Sequence, residues 1–93
     1  MIKTFADKQT AAIFEGHQVK HLPREVQETA RRKLKMLDSA VTVESLRVPP
    51  GNRLERLKGE RAGQWSIRIN DQWRICFAWR AGHAFEVGIV DYH

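Results

Sequence analysis

Apolar residues recur along this chain with two different periods, and the change of period divides it. Between residues 23 and 38, Val26, Ala30, Leu34 and Leu37 return every three or four positions. That spacing lines one face of an α-helix. Pro23 suits the first turn, where its missing N–H is not needed. Glu25 and Glu28 lie near the positive end of the helix dipole, and Arg31, Arg32, Lys33 and Lys35 toward the negative end. Asp38 and Ser39 close the segment. A shorter helix is predicted before it, capped by Asp7, carrying Ala11, Ala12, Ile13 and Phe14, and stopped at Gly16. Residues 1–5 read as a short strand and residues 17–22 as a polar connection. Residues 42–46 suggest one further helical turn. Val48-Pro49-Pro50-Gly51-Asn52 cannot continue a helix and reads as a loop.

After residue 53 the period falls to two. Trp65, Ile67 and Ile69 alternate with Ser66 and Arg68. Trp73, Ile75, Phe77 and Trp79 alternate with Arg74, Cys76, Ala78 and Arg80. Asn70-Asp71 and Ala81-Gly82 are the turn signals between strands. A last strand over residues 84–92 places Phe85, Val87, Ile89 and Asp91 in one phase. Helices followed by an antiparallel meander define an α+β fold. The length predicts one domain over residues 1–93, with the helical stripe covering the apolar face of the sheet.

The alternation also sorts the charges. With Ile67, Ile69, Ile75 and Phe77 toward the helices, Arg68 and Arg74 project from the other face, on adjacent strands. The preceding loop adds Arg53, Arg56, Lys58 and Arg61 to a basic surface. A net charge of +5 agrees with an anionic partner. The single cysteine, Cys76, cannot staple the fold, and no metal-binding spacing is present, so neither metal nor cofactor is expected. No apolar run approaches the roughly 20 residues of a membrane span. The N-terminal stretch lacks the apolar run of a signal peptide. A cytoplasmic protein that makes no use of membranes is the expectation.

Asp91-Tyr92-His93 brings an acid, a phenol and an imidazole to the end of the last strand. Beside clustered cations, those groups match the needs of phosphodiester cleavage. A 2′-hydroxyl must lose a proton, the leaving 5′-oxygen must gain one, and charge growing on the phosphate must meet cations. Plainer readings stay open: solvent-facing strand arginines, tryptophans of the core, and a polar tail.

The stretch RLERLKGERAGQWSIRINDQWRICFAW, followed by VGIVDYH, resembles the HigB toxins of the RelE/ParE superfamily. The opening MIKTF fits as well. The resemblance implies an N-terminal strand and two helices packed on a small antiparallel sheet. It implies a toxin of a type II toxin–antitoxin pair. The implied activity is metal-independent, ribosome-dependent endonuclease cleavage of mRNA. A HigA-like helix-turn-helix antitoxin would be the partner, with operator DNA reached only through that complex. By position, Asp91, Tyr92, His93, Lys58 in LKG and Arg74 in QWR match catalytic positions. Arg68 matches a basic strand position, and Arg53, Arg56 and Arg61 join it as expected RNA-binding residues.

One position departs from the pattern. Glu55 stands where some HigB toxins carry a catalytic histidine. Glutamate, with an ordinary pKa of about 4.3, is a poor general acid at neutral pH unless burial raises it. Glu55 is therefore a candidate acid/base. Two other activities fit the same fold: a ParE-like poison of DNA gyrase, and a non-catalytic toxin that binds ribosomal RNA. A DNA-binding regulator acting alone is disfavoured, because no recognition helix follows the helix over residues 23–38 at helix-turn-helix spacing.

Overall fold

A computed structural model of the protein describes residues 1–92. Asp7 accepts a hydrogen bond from the Thr10 amide at 2.7 Å and starts helix α1 (Lys8–Phe14). Such a cap satisfies one of the amides that a helix N-terminus leaves without a partner. Helix α2 (Arg24–Ser39) begins after Pro23. Residues 40–54 then make two short 3₁₀ turns, Val43–Arg47 and Pro50–Asn52. Asn52 anchors this segment: it is fully buried, and its Nδ2 donates to the Leu46 carbonyl at 3.1 Å. Four strands follow: β1 (Glu55–Arg56), β2 (Gln64–Arg68), β3 (Trp73–Arg80) and β4 (His83–Asp91). They pair antiparallel in the order β1-β2-β3-β4.

The two periods meet in the core. Val26, Ala30, Leu34 and Leu37 of α2 are buried with Ile67, Ile69, Ile75 and Phe77 of the sheet. Trp65, Trp73 and Trp79 are partly buried against the same cluster. The β2–β3 turn forms as the sequence suggests, with Asn70 Oδ1 accepting the amides of Gln72 and Trp73. Short polar side chains of this kind replace backbone partners in turns.

The last strand departs from strict alternation. Ala78 pairs with Phe85 and Cys76 with Gly88, so Glu86 and Val87 together oppose Phe77. This is a β-bulge. Glu86 takes the left-handed conformation there, with φ of 53°, and its amide donates to Thr4 Oγ1. The extra residue resets the phase. Ala84 and Val87 both reach the core, whereas Phe85 is carried to the opposite face against Arg80. The expected common phase of Phe85 with Val87 and Ile89 is thereby corrected. The bulge also shapes the N-terminal segment. Residues 1–5 run parallel to β4 and join it through two separate bridges, Ile2 to Ala84 and Phe5 to Val87.

Candidate active site

The face of the sheet away from the helices is organised around Arg74. It is the register partner of Arg68 across β2 and β3, so both side chains emerge on this face. Their environments differ. Arg74 is only 9% exposed. Its Nε donates to Ser66 Oγ at 2.9 Å, and its Nη2 donates to the Arg53 carbonyl at 2.7 Å. A Glu55 carboxylate oxygen lies 3.8 Å from the same Nη2. The Tyr92 ring lies with its centroid 5.6 Å from the guanidinium carbon. Burial of a guanidinium demands such partners, since an uncompensated charge there is expensive.

Local sequence explains each partner. Ser66 shares the arginine phase of β2, and Glu55 sits opposite Ser66 on β1. Arg53 follows the Pro50–Asn52 turn in a left-handed conformation, φ 45°, with its carbonyl available to Arg74. Beyond Ile89 the phase of β4 returns to regular alternation. Val90 pairs with Arg74 and Asp91 with Trp73, and Tyr92 falls beside Arg74.

Arg68 is engaged elsewhere. It forms an ion pair with Asp71 at 2.5 Å, and that hydrogen bond holds the Asp71 carboxyl below its ordinary pKa. The Arg68 carbonyl accepts a bond from Lys33 Nζ at 2.6 Å. Lys33 is buried rather than solvated on the helix surface. Desolvation, aided by Arg32, Arg68 and Arg74, lowers its pKa.

The loop cations distribute unevenly. Lys58 is exposed, immediately before the 3₁₀ turn Gly59–Arg61. Arg61 is exposed and donates to Gln64 Oε1 at 3.1 Å, which ties it to the Arg74 face. Arg53 contributes its carbonyl to the site. Arg56 differs from the expected arrangement: it pairs with Trp65 in register and lies over that ring, in the phase that faces the helices. Asp91 accepts from Gln72 Nε2 at 3.4 Å, in the register of Trp73. His93, expected to act with it, lies outside the described residues.

Tyr92 and Arg74 are thus brought together, with Glu55 as a carboxylate within reach of the same guanidinium. Cys76, on this face, is buried, and burial pushes its thiol up, away from thiolate chemistry. Among the described residues, no group of three or more His, Cys, Asp and Glu side chains is placed to share a metal ion. Nor is any helix among them long and apolar enough to cross a membrane. A cavity of about 150 Å³ opens elsewhere, lined by Ile13, Gly16, Gln27 and Arg31 among others, and contains none of these residues.

Residues 3–93 match the family described as the RelE-like toxin of the type II toxin–antitoxin system HigB. The chain belongs to this family. It is 40% identical over 85 residues to Toxin HigB-1 of Vibrio cholerae, covering 90% of each chain. It is 33% identical over 97 residues to the Endoribonuclease HigB of Proteus vulgaris, covering 100% of both. The fold is also that of more distant toxins. The Staphylococcus aureus YoeB–YefM complex contains a chain that superposes with a TM-score of 0.63 at 18% identity, covering 100% of this chain and 98% of that one. The YoeB/ParE toxin of Agrobacterium tumefaciens gives 0.53 at 17% identity, covering 99% of each. The protein is a toxin of a type II toxin–antitoxin system, of the HigB group in the RelE-like family, and such a toxin is paired with an antitoxin.

Two participants in the cluster around Arg74 carry no side-chain signal that singles them out in the sequence. Ser66 was placed on the arginine face by alternation, and that phase was the available signal. The Arg53 carbonyl had none, because a backbone acceptor is invisible in side-chain chemistry.

Proposed function

We propose that this toxin is a ribosome-dependent mRNA endonuclease that works without a metal cofactor. The observation that carries the reading is the buried, prepositioned guanidinium of Arg74 beside the Tyr92 ring. The name of the Proteus vulgaris relative, an endoribonuclease, supports it.

The reaction joins the 2′-oxygen to phosphorus and breaks the bond from phosphorus to the 5′-oxygen. A 2′,3′-cyclic phosphate and a 5′-hydroxyl result. The 2′-proton passes to a base, and a proton is delivered to the departing oxygen. Arg74 holds the non-bridging oxygens as their charge grows, because a fixed cation needs no reorganisation at that moment. Lys58 approaches from its exposed loop as a second cation, and Arg68 and Arg61 meet flanking phosphates. Tyr92 stacks on a base. Glu55, Asp91 and His93 are the groups for the two proton transfers, with Glu55 beside Arg74.

The ribosome supplies the alignment of the mRNA, which a face of this size does not supply alone. A HigA-like helix-turn-helix antitoxin neutralises the toxin and carries the contact with operator DNA. The test is primer extension on mRNA from cells producing the wild type, Arg74→Ala or Asp91→Ala. Discrete ends within translated codons are expected for the wild type and not for Arg74→Ala. Toxicity with intact mRNA would exclude cleavage, and rapid cutting of naked RNA at many sites would exclude ribosome dependence.

A further inference from the structure

We infer that Ser66 is a positioning residue for Arg74, and that it determines which edge of the guanidinium meets the RNA phosphate. The inference rests on the proposed nuclease reading and deepens it.

A guanidinium offers two edges to a bidentate partner: a side edge, Nε with Nη2, and an end edge, Nη1 with Nη2. In this protein the side edge is taken. Nε donates to Ser66 Oγ at 2.9 Å, and Nη2 donates to the Arg53 carbonyl at 2.7 Å and, at 3.5 Å, to the Ser66 carbonyl. Among the described residues Nη1 has no hydrogen-bond partner. The phosphate is therefore met through Nη1, the nitrogen of the fork left open.

Ser66 suits this role. It is fully buried, so its hydroxyl cannot exchange Arg74 for solvent. It occupies the centre of the face, opposite Glu55 on one side and Cys76 on the other. It also shares Arg74 with Glu55. The carboxylate lies 3.8 Å from Nη2, outside hydrogen-bond range. Without the hydroxyl, Nε becomes a further open donor for that carboxylate. Glu55 then closes on the side edge, and the guanidinium turns from the phosphate. Ser66 thus occupies Nε while Glu55 stays in a longer ion pair with Nη2.

The experiment has two arms. The first follows the ¹⁵N signal of the Arg74 Nε–H in wild type and Ser66→Ala, and needs no substrate. Slow solvent exchange in wild type, slower than at exposed Arg56, and its loss in Ser66→Ala are expected. Fast exchange already in wild type would overturn the inference. The second arm measures mRNA cleavage on ribosomes, with folding of each variant checked by thermal melting. Ser66→Ala should lower kcat about 10-fold with KM within about twofold, because the group held is the one that meets developing charge. In an Arg74→Ala background the same substitution should change nothing further. Adding Glu55→Gln to Ser66→Ala in a matched comparison should reduce the penalty of losing the hydroxyl. An additive effect of Ser66→Ala in the Arg74→Ala background would sink the positioning role. Absence of cleavage by the wild type would instead refute the nuclease reading, leaving the exchange arm to decide the geometry.

Discussion

Arg68 and Arg74 stand directly opposite one another on neighbouring strands, yet only Arg74 is buried and hydrogen-bonded to a hydroxyl and a backbone carbonyl, with Glu55 in a longer ion pair. Arg68 is paired with Asp71, a residue three positions along at the exposed turn. Two arginines equivalent in the sequence pattern therefore have different capacities to stabilise a phosphate.

This asymmetry sets the first expectation. Arg74→Ala should lower mRNA cleavage by about 100-fold or more, the scale for loss of a preplaced donor. Arg68→Ala should stay within about fivefold, because its exposed ion pair contributes little. Arg74→Lys should behave nearer to alanine, since an ammonium cannot reproduce the fork held by Ser66 and Arg53. Arg74→Ala should also destabilise the fold by about 1–3 kcal/mol, measurable by urea denaturation, because the buried Ser66 hydroxyl loses its donor.

Tyr92 separates stacking from proton transfer. Its ring faces the Arg74 guanidinium and remains 39% exposed, open to a base. Tyr92→Phe should retain cleavage within about threefold, and Tyr92→Ala should lose roughly 10-fold or more. Equal losses in single-turnover assays would move the contribution from the ring to the phenol hydroxyl.

Glu55 is the carboxylate nearest Arg74 Nη2 among the described residues. Glu55→Gln keeps the shape and removes the charge. A loss of about 100-fold in the rate of cleavage, with ribosome binding unchanged, is expected for a proton-transfer group. An unchanged pH–rate profile in this variant would assign the titrating step to the chain terminus instead.

Lys33 gives a stability prediction with a definite sign. Burial lowers its folded-state pKa from 10.5, so between the two values the unfolded chain holds more protons. Stability must then rise with pH through the window between the lowered folded value and 10.5. The cost at neutral pH is the desolvated ammonium, partly offset by its bond to the Arg68 carbonyl. Lys33→Met lacks this titration. The wild type should gain stability relative to Lys33→Met as pH increases from 7 toward 10, measured by urea midpoints. A difference that moves the other way would contradict the buried placement of the ammonium.

The sequence by itself determined the two halves of the architecture, because each carries a period that permits one amphipathic element. Val26, Ala30, Leu34 and Leu37 define a helix face, and the alternation from Trp65 to Trp79 defines a sheet with arginines on its far side. It also carried the family, whose match runs over residues 3–93. Tertiary structure alone decided the phase of β4, where the amide of the bulge residue Glu86 meets the Thr4 hydroxyl brought from the other end of the chain. It alone decided which cation is held ready. Arg74 is fixed by a hydroxyl on the next strand and a carbonyl in a left-handed turn, contacts set by register and backbone conformation rather than by local composition.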